Sequence, residues 1–406
     1  MKILYIVHYG RTEKTFYTDP VTGQPLKRIG DGGSNIHIHF IQYLLKKGYH
    51  ITISTFKNNY QYEAFFGKIT NACFSFFRVP VICTNLYKIL ILPINTILRK
   101  WHYDYIVSVT DFLPDTLYAY LIKMMNPRIK WIASYFLEAP FPFSKNNPYN
   151  INLKRLLTGI IYWLSQRLAF RLIVNKADFV LVTSDPDKHR FVTKQKKRPH
   201  VIVVQGGVDL KPVTKFLEQA KMIIPAKRKY DACFLGRLHY QKGCLELIDI
   251  WKNVCQQKPD AKLIIIGNGP LENDLRRKIM KYNLQNNIEL KGFIDGERKY
   301  AIFRQSKTIV HPATYDSGGM SAAEAMAWGL PGVSFNLESL KKYYPKGMVK
   351  TPTGNNKKFA DNIIKLLNNQ KLYIKISHDA KMLIKEVWDW NIRSQYIYKK
   401  SFSHNY

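Results

Sequence analysis

HPATYDSGGMSAAEAMAWGLP, residues 311–331, sets one carboxylate, Asp316, eight residues before another, Glu324, with Gly318-Gly319 between them. The apolar run Thr308–Val310 ahead of it reads as a short buried strand. Behind it, Ser321–Trp328 carries a helical pattern stopped by Gly329 and Pro331. The segment is therefore a strand, a glycine turn and a helix. Such a turn aims the unpaired N–H groups of the helix N-terminus at whatever lies above it, which suits a phosphate. Carboxylates accept hydrogen bonds from sugar and ribose hydroxyls. An anion cradle between two hydroxyl acceptors is the chemistry that a nucleotide sugar requires.

Two plainer readings compete for the same residues. Ser321-Ala-Ala-Glu324 also spells a capping box, in which Glu324 closes its own helix. Asp316 also fits an ordinary turn aspartate. Other segments have to agree before the first reading stands. Gly236-Arg237-Leu238-His239-Tyr240-Gln241-Lys242-Gly243 follows the strand pattern Ala232–Leu235. An arginine fork and a lysine point charge on a glycine turn can pin a diphosphate. Gly267-Asn268-Gly269-Pro270 is a second glycine turn after Lys262–Ile266, equally readable as a plain strand-to-helix connection. Gly292-Phe293 follows a third strand, where a base can rest on backbone and an aromatic ring. In the first half, Gly30-Asp31-Gly32-Gly33-Ser34 opens a helix expected from about Ile36, a loose anion-site pattern.

At 406 residues the chain exceeds one ordinary core, so two domains are expected. The five cysteines (Cys73, Cys83, Cys233, Cys244 and Cys255) form no CxxC pair, which reads as reduced core thiols in the cytoplasm. Met1–Val7 reads as a first buried strand rather than a secretion signal. No stretch reaches the ~18 apolar residues of a membrane span; Leu156–Val174 is interrupted by Arg167 and Arg171. The net charge is +33. Residues 1–200 carry 28 basic and 11 acidic side chains and residues 201–406 carry 34 and 18, an even spread rather than one patch. Residues 151–200 stand out, with 11 basic against 3 acidic.

Apolar runs alternate with helical patterns throughout. Ile3–Val7, Ile36–Lys47, His50–Thr55, Tyr105–Val109, 115–125, Trp131–Tyr135, 153–175 and Phe179–Thr183 fill the first half. Ala232–Leu235, 244–257, Lys262–Ile266, 271–281, Ile288–Leu290 and Thr308–Val310 repeat the scheme. Alternation of this kind predicts parallel sheets covered on both faces, with ligands beyond the carboxyl ends of the strands. The seam is expected near Gly206-Gly207-Val208-Asp209.

Taken together, GGSNIHIHF, QGGVDL, FLGRLHYQKG, IIIGNGP, LKGFID and DSGGMSAAEAMAWGLPGV are highly specific in order and spacing. On these segments nearly the whole chain resembles the GT-B glycosyltransferases, and within them family 4 of retaining enzymes. The resemblance implies an α/β fold of two doubly wound Rossmann-like domains facing across a cleft. Residues 1–207 would form the acceptor domain, with a C-terminal helix, 386–406, packing back on it, and residues 208–385 the nucleotide-sugar domain. Asp316 and Glu324 match the family's pair of acids: Glu324 would hold the ribose and Asp316 the transferred sugar. Asp is a methylene shorter than the usual Glu. Arg237 and Lys242 match the pair that neutralises the donor diphosphate. Gly318, Gly319 and Met320 would offer backbone N–H groups, Gly32 and Gly33 would approach the distal phosphate, and Gly236, Gly267, Gly269 and Phe293 would line the donor. The histidine that the family often carries after the strand matching Trp131–Tyr135 is replaced by Phe136, with Tyr135 and Glu138 beside it. Glu138 would orient the sugar or acceptor. The stretch from Gly332 to Leu340 also departs from the family's Gly-Gly loop.

The implied activity is a hexosyltransferase reaction with retention, without a protein nucleophile, from a UDP- or GDP-sugar to a lipid-linked or glycan acceptor in cell-surface polysaccharide synthesis. No cofactor and no metal are expected. Asp185-Pro186-Asp187 resembles a metal-binding DxD, but Ser184 ahead of it reads as an N-cap with proline in the first turn. A sugar-nucleotide epimerase would share the nucleotide site. A basic nucleic-acid binder rests only on the charge and lacks an interleaved basic and aromatic signature. The segments 153–175 and Leu86–Trp101 combine apolar residues with cations. Their apolar faces read as core and their basic edges as contacts to an anionic membrane, each cation adding roughly 1 kcal/mol. The expectation is a cytoplasmic enzyme, peripheral on the cytoplasmic face of the cell membrane.

Overall fold

The computed structural model describes residues 1–7, 32–55, 102–136, 138–144, 153–191, 199–219, 222 and 224–402. Gly30, Asp31, Cys73, Cys83, the segment Leu86–Trp101 and residues 194–198 lie outside the described residues. The chain divides into two units. One holds the described residues up to Gly206 together with those from Arg393 onward, and the other Gly207–Ile392.

The first unit is built on β1 (Lys2–Val7), β2 (His50–Thr55), β3 (Tyr105–Ser108), β4 (Lys130–Tyr135), β5 (Phe179–Val182) and β6 (His200–Val203). They pair in parallel in the order β2-β1-β3-β4-β5-β6. Leu4, Ile6, Ile106, Trp131, Ala133, Val180 and Val182 face a core completed by Tyr118, Ile122, Ile173 and Phe191 from the helices. The helix Trp390–Ser401 closes onto this unit through its end: Phe402 stacks on Tyr105 at 4.4 Å, and the Tyr398 and Tyr49 hydroxyls lie 2.9 Å apart. The first described helix begins at Gly32, four residues before Ile36, so Gly32 and Gly33 form its first turn.

The second unit carries β7 (Tyr230–Leu235), β8 (Leu263–Ile266), β9 (Ile288–Leu290), β10 (Ser306–His311), β11 (Gly332–Phe335) and β12 (Met348–Thr351). Their order is β12-β11-β10-β7-β8-β9, all parallel. Strand order therefore reverses between β7 and β10. In a doubly wound sheet that reversal opens a crevice beyond the carboxyl ends of the two strands, because their helices leave toward opposite faces. Leu263 and Ile265 enter one core layer with the helices Cys244–Gln257 and Asn356–Asn368, while Ile264 and Ile266 enter the other with Met320–Ala327 and Gln370–Val387. Burial on both faces is why β8 reads LIII without polar alternation. Burial pushes the Cys233 thiol up to about 12, as expected of an inert core thiol.

Gly332–Leu340 holds a buried strand, β11, and the start of a short helix, Glu338–Lys341. One expectation needs correction. The apolar residues of Leu153–Lys176 are not all core: Leu153, Leu157, Ile161, Leu164 and Leu168 are exposed. Among the described residues no helix is long and apolar enough to cross a membrane.

Candidate functional site

The loops after β7 and β10 meet at the point where strand order reverses. Gly243, in the left-handed region at φ 65°, ends the β7 loop; a Cβ on it would stand 1.8 Å from Pro312 O, so only glycine fits. The Thr314 N–H donates to Gln241 O at 3.0 Å, fastening the second loop to the first. The loop after β8 joins them: Leu238 N–H donates to Asn268 O at 2.9 Å, and Leu271 N–H to Leu238 O at 3.2 Å. Gly267 and Gly269 permit this approach, since a Cβ on either would strike Gly236 O at 1.8 Å or Leu238 O at 2.3 Å. Gly236, Gly267 and Gly269 thus hold backbone against backbone, whatever else they contact.

Within this frame Lys242 Nζ lies 2.6 Å from Asp316 Oδ2, and His311 Nε2 lies 3.1 Å from the same oxygen. Asp316 Oδ1 accepts from the Gly318 and Gly319 N–H groups, each at 3.3 Å. The side chain is only 8% exposed. Burial alone would raise its pKa; the Lys242 ammonium and His311 outweigh that and hold the carboxyl well below its ordinary range. Asp316 is therefore a turn aspartate through one oxygen and an ion-pair partner through the other. The two glycine N–H groups expected to face a ligand are turned to Asp316. Gly319 itself has φ 60° and caps the helix Met320–Ala327, and Tyr344 donates its hydroxyl to Gly319 O at 2.6 Å.

Because Gly319 is the N-cap, Ser321 is the second helical residue and Glu324 the fifth, so no capping box forms. Glu324 instead accepts from Lys299 Nζ at 2.7 Å, and Lys299 also reaches Asp295 at 2.6 Å. Burial opposes the charge on Lys299, but the two carboxylates reverse that and raise its pKa. Glu324 keeps 35% of its side chain exposed, so its second oxygen can accept from a hydroxyl. Arg237 is an exposed residue of the β7 loop, and Phe293, after β9, is half-buried. His311 and Lys299 are the site residues that spacing did not single out. A histidine ending a buried strand and a lysine one turn behind Asp295 were the available signals.

Gly32, Gly33 and Glu138 belong to the first unit. Glu138 is held by Arg190, and by Arg167 at 3.2 Å, so it is a paired acid rather than a free loop glutamate. Its neighbour Ala139 donates N–H to Gln166 Oε1 at 2.6 Å. Phe136 sits beside His37, with ring centroids 5.9 Å apart. Burial lowers the His37 pKa to about 3, and its Nε2 meets Ser134 Oγ at 2.8 Å, so His37 is a neutral core residue. In the rival motif, Asp187 pairs with the Ser184 hydroxyl and its N–H returns to Ser184 Oγ at 3.3 Å, with Arg190 on the other carboxylate oxygen at 3.7 Å. The N-cap reading of Ser184-Asp185-Pro186-Asp187 holds.

Residues 215–382 match the family model of glycosyl transferases group 1. An uncharacterized glycosyltransferase of Methanocaldococcus jannaschii, MJ1069, is 25% identical over 312 residues, 75% of this chain and 76% of that protein. A second from the same organism, MJ1059, is 26% identical over 275 residues, 64% of this chain but 60% of its own length, under two thirds. Among solved structures, Anabaena Alr3699/HepE in complex with UDP and glucose aligns over 99% of this chain and 100% of that one, at TM-score 0.66 and 16% identity. That likeness establishes the GT-B fold.

Proposed function

Because this chain carries a glycosyl transferases group 1 domain over residues 215–382, we propose that it transfers a sugar, with retention, from a nucleoside-diphosphate donor bound in the second unit. The observation that carries the reading is the Lys242–Asp316 pair above the Gly318-Gly319 turn, at the β7/β10 reversal. The UDP and glucose held by Alr3699/HepE support a donor of this class.

Glu324, oriented by Lys299, accepts from the ribose hydroxyls. Lys242 and Arg237 face the diphosphate, and the first turn of Met320–Ala327 adds its positive end. As Lys242 turns to the phosphate, Asp316 Oδ2 becomes available to a sugar hydroxyl. The glycosidic C–O bond breaks toward the β-phosphate, whose growing charge these fixed groups stabilise. The acceptor oxygen bonds to the anomeric carbon on the same face, and its proton passes to the departing phosphate oxygen. Lys242 and Arg237 supply the diphosphate's countercharge, so no metal is required. The acceptor is a lipid-linked or membrane-proximal glycan of the cell surface.

A thermal-shift series with UDP-, GDP- and ADP-sugars, with and without EDTA, tests the reading. One donor should raise Tm in both conditions, since ligand binding stabilises by mass action. The anomeric configuration of the product is then read by NMR. No shift with any donor, inversion at the anomeric carbon, or conversion of the donor to its epimer without acceptor would each overturn it.

A further inference from the structure

The helix Leu153–Lys176 is apolar on two opposite sides, and among the described residues one is buried and the other exposed. Ala169 and Ile173 are fully buried and Gln166 nearly so. Gln166 ties the helix to the unit through Asp111 and Ala139. Opposite them, Leu153, Leu157, Ile161, Leu164 and Leu168 are 49–72% exposed. Steps of four, four, three and four residues keep these five within about 80° of arc along roughly 22 Å of helix. Phe141 and Phe143, in the loop after β4, are 53% and 66% exposed, and the Phe141 ring lies 5.7 Å from Trp163 of the helix. A row of five large apolar side chains with two phenylalanines beside it is more than the scattered exposure a soluble surface carries.

The charge around the row selects what covers it. Residues 153–176 hold Lys154, Arg155, Arg167, Arg171 and Lys176 and no Asp or Glu. Arg171 is exposed and, five turns from Leu153, falls in line with the row. Arg167 lies over the Trp163 ring at 5.1 Å. Arg167 also pairs with Glu138, which Arg190 holds as well, so cations outnumber acids at the border. An apolar face with a basic border is complementary to a surface that is apolar inside and negative outside. We propose that this face lies on a bilayer surface carrying anionic lipid. The five aliphatic side chains and the phenylalanines enter the acyl boundary, while the arginines stay at phosphate level. The inference extends the membrane-proximal acceptor proposed above, but it is read from the first unit alone and does not depend on the donor site.

Flotation of the full chain with phosphatidylcholine vesicles, with and without phosphatidylglycerol, tests it. The protein should rise with the anionic vesicles and less so in high salt. Ile161→Asp/Leu164→Asp, at two exposed positions, should lower the bound fraction by about tenfold without changing Tm or nucleotide-sugar binding. Arg171→Glu should lower it less. Three results would overturn the proposal: wild type left at the bottom of the gradient, a doubly substituted variant that floats as wild type does, or light scattering that finds a dimer for wild type and a monomer for the variant. The last would assign the face to a second copy. Nucleotide-sugar binding, measured on the same samples, fails or holds separately.

Discussion

Lys242 Nζ lies 2.6 Å from Asp316 Oδ2, so the cation we propose for a donor diphosphate is already paired with the acid we propose for its sugar. With His311 on the same oxygen and two glycine N–H groups on the other, Asp316 has no acceptor site to spare. On the proposed function, donor binding would have to exchange partners rather than add them.

Asp316→Asn and Lys242→Met should each lower kcat/KM by about 2–4 kcal/mol, the range for preorganised charges. Because the two groups share one ion pair, the double variant should lose less than the sum, with a coupling of about 1–3 kcal/mol. Sugar-transfer kinetics on the four proteins measure it. Strict additivity would mean that the two residues act independently and not as a pair.

The depressed pKa of Asp316 gives stability a defined pH dependence. A carboxyl held lower in the folded state than its unfolded value, about 3.9, stabilises fully above that value. The contribution fades as pH falls through the folded value. Urea unfolding from pH 6 down should show wild type losing its advantage over Asp316→Asn only in the acid range. An advantage unchanged down to the lowest accessible pH would contradict it.

Lys299→Met leaves Glu324 and Asp295 without their cation. Since Glu324 is about a third exposed, water relieves part of the penalty, and a loss of about 1–3 kcal/mol in stability is expected. The donor KM should rise more than kcat falls, because the ribose contact we propose for Glu324 would be made before and during reaction. Lys299→Arg should recover much of both. A variant with wild-type KM would separate Lys299 from the donor site.

Glycine substitutions distinguish close packing from simple backbone strain. Gly243→Ala forces a Cβ against Pro312 O and should cost about 2–4 kcal/mol. Gly292→Ala, at φ 67° with nothing within 4 Å, should cost about 1–2 kcal/mol. Thermal unfolding of both variants ranks them. Equal losses would refute the packing argument.

The fold was legible wherever burial on both faces left an uninterrupted apolar run, as in β8 and β10. Short strands such as β12, MVKT, escaped because only their ends are buried. The Asp316–Glu324 spacing marked out the turn after β10 and the helix that follows it, and the Gly-Gly turn stands there. It did not reveal that Asp316 bonds its own turn, because one sequence fits both roles. Lys299 did not stand out for a different reason: beside Asp295, four residues back, its other partner, Glu324, lies one strand away, so only the folded chain assembles all three. The exposed row on Leu153–Lys176 was misread because apolar periodicity does not say whether a face is covered.

The three loops at the β7/β10 reversal touch through bare backbone, Gly236 against Gly267, Leu238 against Gly269 and Gly243 against Pro312. None of them can be lengthened or swapped alone without opening a gap or a clash in the other two. Recombination with a relative whose crossover falls between Gly236 and Pro312 would separate partners that were shaped together, and such chimeras should be poorly folded. On the proposed function, new donor preferences would arise by changing side chains such as Arg237 and Phe293 on an inherited frame, or by exchanging all three loops as one cassette.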